Sequence, residues 1–149
     1  MVLQRRDRPR GRGHVGNPAA VVIDTHALIF HAAGGRGLGP KGRAIFTAAE
    51  RGERIVYVPS AVMWEVGLLA RAVRINLHRS VRAFFGDLFS NPAYQPYDLT
   101  ASQVFDADEL RFTRDPFDAL IVAAARDLDL ALVTRDDVIR ASGTVRVVW

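Results

Sequence analysis

Cysteine is absent from the 149 residues of the sequence. Its absence excludes disulfide bonds, thiol nucleophiles and thiolate zinc sites, and it is compatible with a reducing cytoplasm. The sequence also lacks the run of roughly 18 apolar residues that a membrane-spanning helix needs, and the apolar stretch of a secretory signal. We therefore expect a cytoplasmic protein that does not associate with membranes.

Lysine is almost as scarce, because Lys41 is the only lysine among 20 basic residues. Residues 1–14 carry five arginines and one acid, Asp7, which leaves 15 basic and 15 acidic residues in the rest of the chain. The net charge of +4 thus belongs to the N-terminal segment. We expect residues 1–18 to form a disordered Arg-rich tail, with an arm that binds phosphates by charge as the alternative. Residues 19–149 are expected to form one neutral domain.

Short apolar runs alternate with helical patterns through this domain. The expected strands cover residues 19–23, 54–58, 94–99, 130–134 and 144–149. The expected helices cover residues 27–33, 40–50, 61–73, 77–89, a stretch from 100 or 102 to about 110, 115–128 and a short stretch from 136 or 137. Ser60 is the expected N-cap of the helix over 61–73. Strands that alternate with helices favour an α/β fold with a mainly parallel sheet covered on both faces.

The helix over residues 115–128 begins with two acids and then becomes wholly apolar. Asp115 is a good N-cap, and Pro116 suits the first helical position. Asp118 lies three and four residues before Ile121 and Val122, so its carboxylate is on the stripe that faces the core. An acid in that place needs a partner, unless it serves only to stabilise the first turn through the helix dipole.

Three other acids occupy unusual places. Asp24 and Asp136 each follow a strand immediately, which puts them at the carboxyl edge of the sheet, where α/β proteins bind ligands. Glu65 emerges from the apolar face of its helix, although glutamate is rarely buried without a partner. Asp24 could instead cap the following helix, Asp136 could be an N-cap in competition with Asp137, and Glu65 could form a buried salt bridge with an arginine. All four acids nevertheless fall where one edge of one sheet can collect them.

Carboxylates gathered in one place repel one another and raise their pKa values unless a cation neutralises them. Oxygen ligands completed by water suit Mg²⁺ or Mn²⁺ better than zinc. Such a site suits phosphodiester hydrolysis, in which metal ions activate a water and stabilise the leaving oxygen. His26 follows Asp24 closely, and it could pack in the helix and core or lie beside the substrate.

Four motifs together resemble a known family. The segments Val-Val-Ile-Asp24-Thr-His-Ala-Leu, Pro-Ser-Ala-Val-Met-Trp-Glu65-Val, Arg-Asp-Pro-Phe-Asp118-Ala-Leu-Ile-Val-Ala and Leu-Val-Thr134-Arg-Asp136 are similar to those of PIN-domain ribonucleases of the VapC toxin type. The resemblance runs from about residue 20 to residue 149. It implies a three-layer α/β/α sandwich whose acidic site binds Mg²⁺ or Mn²⁺ and cuts RNA, commonly as a homodimer inhibited by a small VapB-like antitoxin.

The resemblance carries the family's catalytic and metal-binding acids onto Asp24, Glu65, Asp118 and Asp136. Thr134 matches a supporting hydroxyl, and Asp115 has a supporting place at the helix start. Our hypothesis is that Asp24, Asp118 and Asp136 hold the metal directly, whereas Glu65 acts through a bound water or a second ion.

The chain departs from the family at two positions. Close relatives often have histidine at the position of Thr113 and arginine at the position of Ala119, which raises a question about how substrate is held. Two other functions remain open. A PIN-like domain could serve only to bind RNA or protein, and a receiver-like signalling domain also gathers acids and a threonine at this edge. A receiver needs a lysine near the end of its last strand, however, and the only lysine is Lys41.

The apolar stretch between residues 61 and 89 holds more large side chains than a small sheet face needs. Trp64, Phe84, Phe85 and Phe89 are its aromatic members. We expect part of this stretch to form a homodimer or antitoxin interface.

Overall fold

A computed structural model describes residues 20–149, so the expected Arg-rich tail over 1–18 lies outside the described residues. The strands are Val21–Ile23 (β1), Val56–Pro59 (β2), Tyr94–Tyr97 (β3), Ala131–Val133 (β4) and Val147–Val148 (β5). The helices are Thr25–Ala32 (α1), Pro40–Glu50 (α2), Ser60–Arg71 (α3), Val81–Leu88 (α4), Ala101–Glu109 (α5), Pro116–Leu128 (α6) and Asp137–Ser142 (α7). Within residues 20–149, no helix is both long enough and apolar enough to cross a membrane.

The five strands form one sheet in the order β3-β2-β1-β4-β5, and every described pair is parallel. The prediction of an α/β fold with a mainly parallel sheet is therefore confirmed. From β1 the chain first adds β2 and β3 on one side of the sheet and then returns to add β4 and β5 on the other. The strand order thus reverses at β1, and the carboxyl ends of β1 and β4 flank the crevice where such sheets bind ligands.

The core follows from this parallel sheet, since both of its faces are covered and its central strands are apolar throughout. All three residues of β1 and the last two of β4 are almost inaccessible to solvent. Helix α6 contributes the small buried residues 123–125 and packs against α5, α3, β1 and β4. Its small side chains allow close packing, which fixes the position of its acidic first turn beside the crevice.

Two helix starts differ from the sequence prediction. Ser60 lies inside α3 rather than capping it, and its hydroxyl donates a hydrogen bond to the Tyr97 carbonyl at 3.2 Å. The helix expected over residues 77–89 is shorter, because Ser80 ends the irregular segment before it and accepts a hydrogen bond from the Ala83 amide at 3.1 Å. His78 has a left-handed backbone, with φ of 58°, which interrupts any helix that would begin at residue 77.

The last residue of the chain fastens the start of α2. The Trp149 carbonyl oxygen accepts hydrogen bonds from the amides of Lys41 and Gly42 at 3.1 and 3.2 Å. These bonds satisfy helix donors that have no side-chain cap. Gly39 makes this approach possible, since a Cβ atom there would lie 2.6 Å from the Trp149 carbonyl carbon.

We expect Gly39→Ala to lower the free energy of unfolding by about 1–3 kcal/mol, because the added methyl group would clash with the Trp149 backbone and disturb its hydrogen bonds to α2. Urea unfolding measures the change. Gly86→Ala is the matched control, since a Cβ atom at this position in α4 meets nothing within 4 Å. Alanine there should raise stability by up to about 1 kcal/mol through helix propensity. Equal stabilities for the two variants would contradict the predicted contact.

Candidate active site

An open cleft of about 550 Å³ lies at the carboxyl ends of β1 and β4. Six acids line it: Asp24, Glu65, Asp115, Asp118, Asp136 and Asp137. The four acids that the sequence singles out are therefore brought together in one place, together with the supporting Asp115. Their catalytic and metal-binding roles stay predictions.

Asp24 is fixed by the strand before it and by the helix after it. Its amide donates to the Val133 carbonyl at 3.2 Å, which ties the end of β1 to β4. Its Oδ1 accepts a hydrogen bond from the Ala27 amide at 2.8 Å and so caps α1. The capping role that sequence reasoning gave as an alternative is therefore real, and it does not remove Asp24 from the cleft.

Asp136 is held in the same way at the end of β4. Its Oδ1 accepts from the amides of Val138 and Ile139 at 2.8 and 3.0 Å, so Asp136, and not Asp137, is the N-cap of α7. Its own amide donates to the hydroxyl of Thr134 at 3.1 Å. Thr134 is fully buried, and it therefore fixes the backbone from which the Asp136 carboxylate projects.

Asp115 repeats the pattern at the start of α6. Its Oδ1 accepts from the amides of Phe117 and Asp118 at 2.8 and 3.3 Å. In Asp24, Asp115 and Asp136, one carboxylate oxygen thus serves as a helix cap. The hydrogen bonds made within residues 20–149 leave Oδ2 of Asp115 and Asp136 without a donor, and the Thr134 hydroxyl lies beside the Asp24 carboxylate. Asp115 and Asp136 therefore each have a rigid anchor and a second oxygen available to a ligand.

Glu65 is half-buried on α3 and lacks the ion pair that an ordinary buried glutamate would need. Among the described residues, no arginine forms a salt bridge with it, so that alternative is not observed. Burial raises the pKa of Glu65, and the charges of Asp115 and Asp24 raise it further. The buried Thr25 hydroxyl beside it lowers this pKa, although that hydroxyl makes no well-formed hydrogen bond within residues 20–149.

Asp118 shows the repulsion among these acids most clearly. Burial, followed by the charges of Asp115, Asp136, Glu65 and Asp24, raises its pKa from 3.8 to about 7. Burial also raises the pKa of Asp24, against the opposing effect of the Thr134 hydroxyl. The fold thus concentrates negative charge in the cleft without supplying enough positive charge to neutralise it.

The donor set fits a hard divalent cation. Within residues 20–149, no three His, Asp or Glu side chains are already drawn together so as to hold a metal ion, because the acids line an open cleft. Their oxygens are nevertheless the ligands that Mg²⁺ and Mn²⁺ prefer, and the unneutralised charge is what such an ion would offset. The buried, unpartnered Thr25 hydroxyl adds a further polar atom to the same wall.

Two basic side chains also line the cleft. His26 is exposed there, so it does not pack in the core. Its ring centroid lies 6.3 Å from that of Phe30 on the same helix, and a place beside a substrate stays open. Arg135 lines the same cleft and was missed by sequence reasoning. The only available signal was its position between the buried Thr134 and Asp136, directly after a strand.

The sequence model of the PIN domain matches residues 21–143. Comparison with curated protein sequences found no significant match.

Solved structures with the same fold include three complexes. VapBC2 from Rickettsia felis, bound to a DNA fragment from its promoter, has a TM-score of 0.62 and 14% identity, over 87% of this chain and 97% of that chain. DNA-bound VapBC from Salmonella typhimurium has a TM-score of 0.61 and 14% identity, over 88% of this chain and 98% of that chain. A toxin–antitoxin complex from Klebsiella pneumoniae has a TM-score of 0.59 and 17% identity, over 87% of this chain and 97% of that chain. At sequence identities this low, the structural similarity establishes a shared fold only.

The raised pKa of Asp118 determines how stability varies with pH. The folded protein retains a proton on Asp118 between the ordinary pKa of 3.8 and the folded value of about 7, so the free energy of unfolding falls as pH rises through this window. In the Asp118→Asn variant, the side chain at this position carries no charge at any pH. In chelator at about pH 8 we expect it to be more stable than wild type by about 1 kcal/mol, less than the full shift because the carboxylate is half-exposed.

Urea unfolding at about pH 4 and about pH 8 measures this difference. The two proteins should be equally stable at the lower pH, where Asp118 is protonated in the wild type. Asp108→Asn, which removes an exposed charge on α5 outside the cleft, should change stability little at either pH. An Asp118→Asn protein no more stable than wild type at about pH 8 would contradict the predicted repulsion.

Proposed function

The chain belongs to the PIN-domain family, and on this premise we propose that it is a metal-dependent ribonuclease that hydrolyses RNA phosphodiester bonds. The observation that carries the proposal is the cleft lined by six acids at the point where the strand order reverses. A hydrolase of this kind would meet its RNA in the cytoplasm. We further propose that it is the toxin of a toxin–antitoxin pair.

Three acids would hold the metal. Asp24 and Asp136 would use the oxygens that do not cap helices, and Asp118 would join them from the first turn of α6. Glu65 would act through a bound water or a second ion. A bound Mg²⁺ or Mn²⁺ would activate the attacking water and stabilise the leaving oxygen.

The chain's own contribution is to keep these carboxylates in place before any ligand arrives. Backbone amides hold one oxygen of Asp24 and of Asp136, and the buried hydroxyl of Thr134 fixes the turn between β4 and α7. Asp118 is partly protonated near neutral pH, since its pKa is about 7, and it would release that proton when a cation binds. The anchored carboxylates would still have to draw closer around a cation, because within residues 20–149 no three of them are already close enough to hold one.

Two rival functions are less well supported. A receiver-like phosphoacceptor would need a lysine in the cleft, whereas Lys41 is exposed at the start of α2 and does not line the cleft. A catalytically silent binding module would have no need for carboxylates with raised pKa values. Metal-dependent cleavage separates the ribonuclease from both.

An antitoxin partner is supported by two observations. The structural neighbours include toxin–antitoxin complexes. An apolar groove of about 530 Å³ runs between α1, α3 and the segment before α4, with Ile29, Val66 and Leu77 in its walls. We propose that a small VapB-like antitoxin lays an apolar segment into this groove.

A homodimer is a separate part of the proposal, and the structure narrows its candidate surface. Phe84 and Phe85 are buried, and Phe89 is half-buried, so these three residues belong mainly to the core. Phe85 is therefore a poor candidate for an interface, whereas Phe84 lines the groove proposed for the antitoxin. Trp64 is 53% exposed on α3 and is the remaining aromatic candidate.

We expect Asp24→Asn and Asp118→Asn each to lower RNA cleavage by at least about 100-fold, because each removes a charged oxygen ligand of the metal. Purified protein is incubated with total RNA in Mg²⁺ or Mn²⁺, and chelator should abolish cutting by the wild type. Asp108→Asn is the control and should cleave as the wild type does. Full activity in either cleft variant, or cutting that survives the chelator, would contradict the proposed site.

The proposed homodimer is tested by light scattering after gel filtration at high protein concentration. We expect Trp64→Ala to shift the protein from dimer to monomer, because the exposed indole would be the largest apolar group at the interface. Val73→Ala, which truncates an apolar side chain 87% exposed beyond the end of α3, serves as the control. A wild-type monomer, or a Trp64→Ala dimer of unchanged stability, would contradict the proposed surface.

A further inference from the structure

Arg135 is the one arginine or lysine among the described residues that line the cleft. Six carboxylates share the cleft with it, yet Arg135 forms no salt bridge with any acid in residues 20–149. The nearby carboxylates attract the guanidinium, but an exposed ion pair is weak. A contact with another residue can therefore determine where the guanidinium lies.

That contact is the ring of Phe30. The Arg135 Cζ atom lies 4.6 Å from the ring centroid, within the range of a cation–π interaction. The ring is itself supported, because Trp149 meets it edge-on at a centroid distance of 6.2 Å. The backbone at Gly37 also lies close to the ring, since a Cβ atom there would be 3.3 Å from the Phe30 Cδ1 atom. Phe30 is thus a fixed platform rather than a mobile surface group.

Stacking leaves the donors of the guanidinium available. The interaction with an aromatic ring uses the face of the guanidinium plane, whereas its five N–H groups lie in the plane and point outward from its edge. These donors form a fork that matches two oxygens of a phosphate. Arg135 therefore combines an unpaired charge, a supported position and free donors in a cleft whose other charges repel phosphate.

We propose that Arg135 binds a backbone phosphate of the RNA beside the acidic cleft, and that Phe30 is the positioning residue that keeps the guanidinium off the carboxylates. This proposal rests on the ribonuclease function proposed above. It assigns the cleft two parts, in which the acids carry the reaction and one stacked arginine binds the polyanionic substrate. Binding by this arginine would be independent of base sequence, because a phosphate carries no sequence information.

The test uses a fluorescein-labelled single-stranded RNA of mixed sequence, with Mn²⁺, and measures KM, kcat and the Mn²⁺ concentration that gives half-maximal activity. We expect Arg135→Ala to raise KM about tenfold, because a charge-assisted contact to the phosphate is lost. The value of kcat and the half-activating Mn²⁺ concentration should stay close to wild type. The slope of log KM against log salt should decrease by about 0.7, as one phosphate contact fewer predicts.

Two further variants test how Arg135 is held. Arg135→Lys keeps the charge but loses the planar fork, so it should recover only part of the wild-type KM. Phe30→Leu should raise KM in the wild-type background and have little further effect in the Arg135→Ala background, since the two residues act through one contact. Arg51→Ala, which removes an exposed arginine after α2 and outside the cleft, is the matched control for charge.

Three results would overturn the proposal while leaving the nuclease intact. They are an Arg135→Ala protein with the KM of Arg51→Ala, a changed Mn²⁺ requirement with an unchanged KM, and a Phe30→Leu effect that persists at full size without Arg135. A wild-type protein that does not cut RNA under any metal would be a different failure, because it removes the proposed function and this proposal with it.

Discussion

Electrostatic repulsion among carboxylates is the constraint on which this structure depends. Six acids line a single cleft, and the pKa of Asp118 rises to about 7 as a result of burial and of the acids around it. A fold that brings these groups together has less stability than one that keeps them apart. The apolar parallel sheet and the tight packing of α6 against four other elements must therefore supply the stability that the cleft lacks.

Helix capping explains how these acids can stabilise the fold and also serve as ligands in the cleft. Asp24, Asp115 and Asp136 each use one oxygen to satisfy amides at a helix N-terminus, where a negative charge is favoured by the helix dipole. The same residue thus stabilises its local structure and presents a second oxygen to the cleft. For these acids, the structural and the functional explanations do not compete, because each explanation applies to a different oxygen of the same carboxylate.

Local sequence signals account for much of the fold and for the acids of the site. Helix α2 covers the predicted residues 40–50, and the acids that follow β1 and β4 reach the sheet edge that their positions predict. The prediction of a helix start failed where a polar side chain formed its hydrogen bond with a different partner from the expected one. Ser60, for example, donates to a carbonyl on a neighbouring strand instead of capping its own helix.

The contacts that sequence could not predict join residues far apart in the chain. Burial of Phe84 and Phe85 depends on how α4 packs against α3, which periodicity alone does not determine. The stacking of Arg135 on Phe30 leaves no periodic pattern, because it joins the turn after β4 to the middle of α1. Sequence analysis therefore located the acids and missed the arginine that lies beside them.

The position of Trp149 has a consequence for the order in which the molecule is completed during synthesis. Its carbonyl fastens the start of α2, and its ring supports Phe30, so a residue beyond β5 supports the first two helices of the domain. A chain that has been translated only as far as α7 already contains every acid of the cleft but lacks this support. The acidic site and the platform for Arg135 are therefore complete together only after β5 has been synthesised and has paired with β4.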